Sequence, residues 1–229
     1  MVTLTSVIDG VGIVPPFSFI APLGLHSLPI APTPEERAAL SHQFVRELYS
    51  GGDESIWEPA APYYSAIAEY MGDSGLAYSA MGLFSTEEGN VAQCSFTVAA
   101  VETDQSDPDV AATGTLAILS TDPHNDARWL DLPCGPAVTC VRMHEVTLSP
   151  EVTASGEETK LMTGQIQVYI PFPTGPYTAV FTLDTASVDY WGEFCDMVAA
   201  ILQTISFAPP EESAQSEVST ETESPELRG

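Results

Sequence analysis

With 229 residues, 44% of them hydrophobic, the chain has ample apolar material for one packed domain and too little length for two full ones. Its charge is extreme: 32 Asp and Glu against 6 Lys and Arg give a formal −26, and the six cations (Arg37, Arg46, Arg128, Arg142, Lys160, Arg228) never cluster. Nucleic acid and anionic lipid are held by Lys and Arg, so neither is an expected partner, and no run of about 18 apolar residues offers a spanning helix.

Residues 1–16 read as an N-terminal extension. They have no basic leading region, carry Asp9, and break their apolar residues with Gly10, Gly12, Pro15 and Pro16, so no secretory signal is expected and the expected compartment is the cytoplasm. The stretch from Ser18 to Pro29 starts extended. At Thr33 a helix opens: Thr33 is the N-cap, Pro34 takes the first helical position and Glu36 closes a capping box, with Leu40, Phe44, Val45 and Leu48 on one face. It stops near Gly51–Gly52. A second helix is expected in WEPAAPYYSAIAEYMG, after Pro59 and Pro62, where Trp57, Tyr63, Ile67, Tyr70 and Met71 recur at helical spacing.

Strands follow over Gly75 to Phe84 and Val91 to Val101, a hairpin around TEEGN whose Gly89–Asn90 suits positive backbone angles. Asp107–Pro108 starts a third helix whose Val110, Leu116, Ile118 and Leu119 are expected to face inward and which Gly114 weakens. Ala127 to Leu132, Val138 to Leu148, Met162 to Phe172 and Tyr177 to Thr185 are four more strands, the last two joined by the sharp reversal PFPTGP. Gln165, Gln167 and Tyr169 alternate with Ile166, Val168 and Ile170, so one face of that hairpin is wetter than the other. A closing helix from about Val188 to Ile205 carries Trp191, Phe194, Cys195, Val198, Leu202 and Ile205 as a broad apolar stripe.

After Phe207 the composition changes to six Glu, many Ser and Thr, and almost nothing apolar, which predicts a disordered acidic tail over 208–229. Those glutamates and Arg228 leave the rest of the chain at −21, so the acidity belongs to the domain itself. Short connections and hairpins predict an α+β fold over 17–207: an antiparallel sheet of about six or seven strands with helices packed on its faces, an α/β/α sandwich.

The order strand, capped helix, consecutive antiparallel strands, then a last strand running into a Trp- and Phe-bearing helix that ends in ILQTISF resembles the PsbP-like sandwich proteins. That group includes photosystem II extrinsic proteins, a yeast nuclear-import factor that binds the GTPase Ran, and many actinobacterial proteins. Its members mostly bind proteins, some as chaperones of secreted effectors, so the resemblance implies a protein partner and carries over no catalytic residue.

Chemistry-bearing residues are sparse. His26, His42, His124 and His144 fall on different predicted elements with no metal-ligand spacing, and Cys134 and Cys140 bracket CGPAVTC, too wide for a CxxC motif. The segment DPHNDARWLDLPCGP gathers His124, Asp126, Asp131 and Cys134, from which a thiol nucleophile with a His base can be imagined. Its Asp122–Pro123, Asn125–Asp126 and Gly135–Pro136 are turn chemistry, which reads as a loop entering and leaving a strand. No catalytic, metal or cofactor residue is therefore expected, and no cofactor. The leading expectation is a non-enzymatic protein-binding adaptor or chaperone-like module. The alternative is a small-molecule binder or enzyme with a pocket or interface built from His124, Asp131, Cys134 and Arg142, with Trp129 and Tyr177 as aromatic anchors.

Overall fold

The computed structural model describes residues 3–4, 17–31, 33–73, 76–86, 89–151, 153 and 155–207. The acidic tail and most of the N-terminal extension lie outside these residues. Seven strands form one antiparallel sheet in the order β3-β4-β5-β9-β8-β7-β6. They are β3 (Leu25–Ser27), β4 (Leu76–Ser85), β5 (Val91–Glu102), β6 (Asp126–Leu132), β7 (Gly135–Leu148), β8 (Thr159–Pro171) and β9 (Tyr177–Thr185). A separate pair joins β1 (Thr3–Leu4) to β2 (Phe19–Ile20), so part of the expected extension pairs with the domain's first strand. Among the described residues four α-helices accompany the sheet: α1 (Pro34–Leu48), α2 (Glu54–Asp73), α3 (Pro108–Leu119) and α4 (Trp191–Leu202). The architecture is α+β, as the pattern of hairpins and amphipathic segments predicts.

Alternation along each strand sends side chains to two faces, and the faces are covered differently. On the first, Tyr78, Ala80, Phe96, Val98, Phe181, Leu183, Ile166, Val168 and Ile170 meet the α4 side chains Phe194, Val198, Ile201 and Leu202 in one core. Phe17 and Phe19 thread between sheet and helix. Their rings meet Phe172, Tyr78 and Phe181 edge-on with centroids 5.2–5.5 Å apart, a geometry the ring quadrupoles favour. Antiparallel bonds between Ser18 and Ser206, and one from the Ile20 N–H to Thr204 Oγ1 at 2.9 Å, tie this segment to the chain just after α4. Ile205, expected inside the helix, lies three residues past its end yet is still buried in the core.

The second face carries the other three helices. Leu28, Phe44, Val45, Ala61 and Tyr64 form a smaller core with Met81, which places the α1–α2 hairpin over β3 and β4. The Thr33 cap behaves as predicted, its hydroxyl accepting from the Glu36 N–H at 3.3 Å. Arg37, buried in α1, donates to the Ala31 carbonyl at 3.0 Å and to Glu69 of α2 at 2.7 Å, pinning the two helices and the loop before them. At the other end α3 packs on β6, β7 and β8 over the buried Val138 and Cys140. Asp107 caps it, its carboxylate accepting from the Asp109 and Val110 N–H groups.

Three sequence expectations change. The second helix starts at Glu54 rather than at Trp57 and runs through Pro59 and Pro62, because Asp53 accepts from the Ser55 N–H and opens the first turn upstream of them. Its buried positions are Ala61, Tyr64 and Ala68, with Trp57 half-buried; Tyr63 and Tyr70, expected on the same apolar stripe, are 66% and 73% exposed. In α3 the buried pair is Ala111 and Ala112, whereas Val110 and Ile118, expected inward, are 50% and 71% exposed. In α3 the two alanines let the backbone approach the sheet, while in α2 bulk lies on both sides, with Tyr64 buried and Trp57 and Ile67 half-buried on the inner one.

Candidate functional site

The two helical caps on the second face sit at opposite ends of the sheet, over β3–β4 and over β6–β8. Between them runs a polar strip. Register aligns one row across six strands: His26, Met81, Ser95, Asp184, Gln165 and Arg142. The next row holds Ser79, Thr97, Thr182, Gln167 and Cys140. Gln93 and Ser95 of β5 are exposed, and Thr97, Thr182, Gln167 and Tyr169 are half-buried, so the middle strands carry hydrogen-bonding side chains where a covered sheet would carry aliphatic ones.

A chain of side-chain bonds crosses the strip. Arg142 Nε donates to Gln165 Oε1 at 2.7 Å, and Gln165 Nε2 donates to Asp184 Oδ1 at 2.7 Å. Beside it the Tyr169 hydroxyl donates to Gln167 Oε1 at 3.0 Å. Cation, amide and carboxylate thus lie on three adjacent strands, each holding the next in place. The two terminal guanidinium nitrogens of Arg142 can take a carboxylate, while Asp184 can accept from a donor. Cys140 lies in the neighbouring row, but burial pushes its thiol upward from the usual range, and Asp122 and Asp126 add to that against the opposing pull of Arg142. It is a buried thiol, not a poised thiolate.

The remaining sequence candidates are dispersed. His124 occupies an exposed turn between α3 and β6, where its N–H donates to Asp122 Oδ1 at 2.9 Å, the turn chemistry its neighbours predict. Trp129 and Asp131 share a face of the edge strand β6 and bond each other, indole Nε1 to carboxylate Oδ1 at 2.9 Å. Cys134 lies in the β6–β7 turn, half-buried against the main core, its thiol pushed up by burial. Tyr177 opens β9 and packs edge-on against Phe172, centroids 6.1 Å apart. His124 and Cys134 flank the two ends of an extended strand, roughly 20 Å apart at the usual rise, so the chain does not bring the imagined thiol and base together. Of the six residues only Arg142 joins the polar row. Gln165 and Asp184 were missed as partners, although the alternation of Gln165, Gln167 and Tyr169 signals the wet face they belong to.

A separate pocket of about 660 Å³ opens on the first face, beside the start of α4. Phe84, Tyr190, Phe194 and Met197 give it an apolar wall, and Glu193 is the charged side chain that lines it. No group of three or more His, Cys, Asp or Glu that could hold a metal ion occurs among the described residues. Among the described residues no helix is long and apolar enough to cross a membrane.

The outer surfaces of the helical caps complete the site. Ile56, Tyr63 and Tyr70 follow one another at seven-residue spacing along α2, with Ile56 46% exposed, and Val110 and Ile118 mark the outer side of α3. The second face therefore presents a polar strip flanked by two apolar ridges. No family model, curated protein or solved structure matches the chain.

Proposed function

We propose that the chain is a non-catalytic protein-binding module that takes its partner on the helical side of the sheet. The observation that carries this reading is the exposure of large apolar side chains on the outer sides of α2 and α3. A surface helix ordinarily turns its larger apolar side chains to the core, and α2 does so with Trp57, Tyr64 and Ile67, yet Ile56, Tyr63, Val110 and Ile118 are left outside. On a body otherwise dominated by carboxylates, exposed aliphatic and aromatic side chains held on rigid helices are what a protein interface requires. The polar strip between them supplies directed hydrogen bonds, from Arg142 and Asp184 above all. The element order behind the PsbP-like resemblance supports a binding role of the same kind.

A photo-crosslinking amino acid placed singly at Tyr63, Ile118 and the exposed Glu47 of α1 tests this in a lysate of the source cell. The reading expects one adduct of discrete mass at Tyr63 and Ile118, suppressed by excess unlabelled protein and absent at Glu47. Equal smears at all three positions, or no adduct at any, would overturn it.

The pocket beside α4 favours a second reading, a binder of small apolar molecules whose cationic end would meet Glu193. Filling it with Ala92→Trp should abolish any thermal stabilisation by an alkyltrimethylammonium probe. Stabilisation that survives the filled pocket would dismiss this reading.

A further inference from the structure

The exposed side of α2 has a finer pattern than its exposure alone. At 100° per residue, Ile56, Pro59, Tyr63 and Ala66 fall within a strip about 80° wide, opposite the half-buried Trp57 and the buried Ala61, Tyr64 and Ala68. Their spacings of three, four and three residues are those of a heptad seam, and Tyr70 lies one further step along it. From Ile56 to Tyr70 the strip runs about 21 Å, close to four helical turns. It contains no charge. Beyond Ser55 and Pro62 on the α1 side come Glu69, which Arg37 of α1 pairs, then Glu58 and Glu54, while α2 itself has no Lys or Arg.

We infer that this strip is a seat for an amphipathic helix of a partner protein whose apolar stripe is bordered by Lys or Arg. The inference rests on the protein-binding reading above and names the partner's chemistry. Seven-residue spacing of exposed apolar side chains matches the ridges of another helix and not the two-residue repeat of an added strand. The same pattern would also accept α2 of a second copy. Charge decides between them: two copies would bring two bodies of −26 and the glutamates of two α2 helices together without a cation on either helix, whereas a basic border relieves both. The seat is built on firm supports. Tyr64 beneath it bonds the Tyr49 hydroxyl at 2.8 Å, Arg46 lies over the Trp57 ring at 5.7 Å, and Arg37 holds Glu69, so the strip does not have to be ordered when the partner arrives.

The test uses the full chain and three fluorescein-labelled 21-residue peptides. One has Leu at the seam positions and Lys at the borders, one is a scramble of the same composition without the heptad repeat, and one replaces the border Lys by Glu. Fluorescence anisotropy is expected to show the basic heptad peptide binding at least tenfold more tightly than either control, and Ile56→Ser with Tyr63→Ser is expected to lower its affinity at least tenfold. Both positions are exposed, so circular dichroism and the thermal midpoint of the double variant should match the parent. Equal binding of the scramble, or undiminished binding by a folded double variant, would reduce the effect to charge attraction and overturn the seat. A dimer in sedimentation velocity that the double variant dissociates would assign the strip to a second copy and overturn the basic helix. If crosslinking at Tyr63 and Ile118 captures a partner while the heptad peptide fails, the binding reading stands and this one falls; if both fail, both fall.

Discussion

Truncating Phe194 to Ala tests whether α4 is what closes the first face of the sheet. Phe194 is 3% exposed, sits in the first turns of α4 and meets the Phe84 ring edge-on at 6.1 Å between centroids. Removing a buried phenyl ring costs about 3–5 kcal/mol in transfer and cavity terms, and the lost aromatic pair accounts for about 0.5–1.5 kcal/mol within that. The location argues for the lower end. Phe194 also walls the pocket beside α4, so the space it vacates would merge with an opening of about 660 Å³ and fill with water instead of standing as a dry void. A loss of about 3 kcal/mol is therefore expected, a large share of the 5–15 kcal/mol that typically holds a domain. Urea unfolding followed by tryptophan fluorescence measures it, because Trp191 lies on the same helix. Tyr63→Ala, 66% exposed on α2, is the control and should shift the midpoint by no more than about 0.5 kcal/mol. A Phe194→Ala midpoint within about 1 kcal/mol of the parent, at unchanged slope, would refute the placement of α4 in the core.

Two glycines should respond with opposite signs. Gly164 of β8 lies under the Trp191 ring, and a methyl group there would run into that ring and into Met143 Sδ at 2.9 Å, so Gly164→Ala should cost about 1–3 kcal/mol in thermal unfolding. Gly114 of α3 has open space around it, and Gly114→Ala should stabilise by about 0.4–1 kcal/mol; a loss there would mean that the helix meets something on its outer side. Cys94 gives a pH signature: burial raises its thiol from 9 to about 11, so the folded state keeps a proton that the unfolded chain releases. Its contribution is fully present below pH 9 and is lost between about 9 and 11, at up to about 1.4 kcal/mol per pH unit. Cys94→Ala should flatten the wild-type decline in urea midpoint over that range, and parallel profiles would disprove the assignment. Arg37→Ala, which deprives the Ala31 carbonyl of its donor and separates α1 from Glu69, should cost about 1–3 kcal/mol, against less than about 1 kcal/mol for Glu69→Ala at the exposed end of the pair; equal losses would contradict the buried role of Arg37.

Much of the fold is legible in the chain because local chemistry and tertiary position agree. Thr33, Pro34 and Glu36 mark a helix start that needs nothing else, and Gly89, with φ of 79°, makes the turn between β4 and β5 that its sequence asks for. Strand alternation from Gln165 to Ile170 separates the wet face from the dry one correctly. Helix orientation fails where every face is apolar enough to be buried. In α3, Leu116 and Leu119 are half-buried, but Ala111 and Ala112 take the buried places that period alone would give to Val110 and Ile118. Close packing over Val138 and Cys140 favours the smaller ones. The row of Arg142, Gln165 and Asp184 was out of reach for another reason: its members are brought together by strand order, 19 and 23 residues apart along the chain, and no spacing rule encodes that order.

The failure on α2 and α3 bears on what the molecule does. Core packing alone would have been served as well by turning Tyr63 or Ile118 inward and leaving alanines outside, since a helix pays in solvation for each exposed apolar side chain. The chain instead leaves Ile56, Tyr63, Tyr70, Val110 and Ile118 outside on two helices of the same face, one at each end of the sheet, with hydrogen-bonding side chains on the strands between them. The opposite face does the reverse, with Phe194, Val198, Ile201 and Leu202 of α4 turned to the core. One sheet thus has a face closed by an apolar helix and a face that exposes both polar strands and apolar helix sides, the face we propose for binding. Perturbations should divide along the same line: substitutions beneath α4 should be read in unfolding midpoints with association constants unchanged per folded molecule. Substitutions on the outer side of α2 should move association and leave the midpoint where it was. A variant of Ile56 or Tyr63 that unfolds the protein as severely as Phe194→Ala would break that division and with it the assignment of the second face to binding.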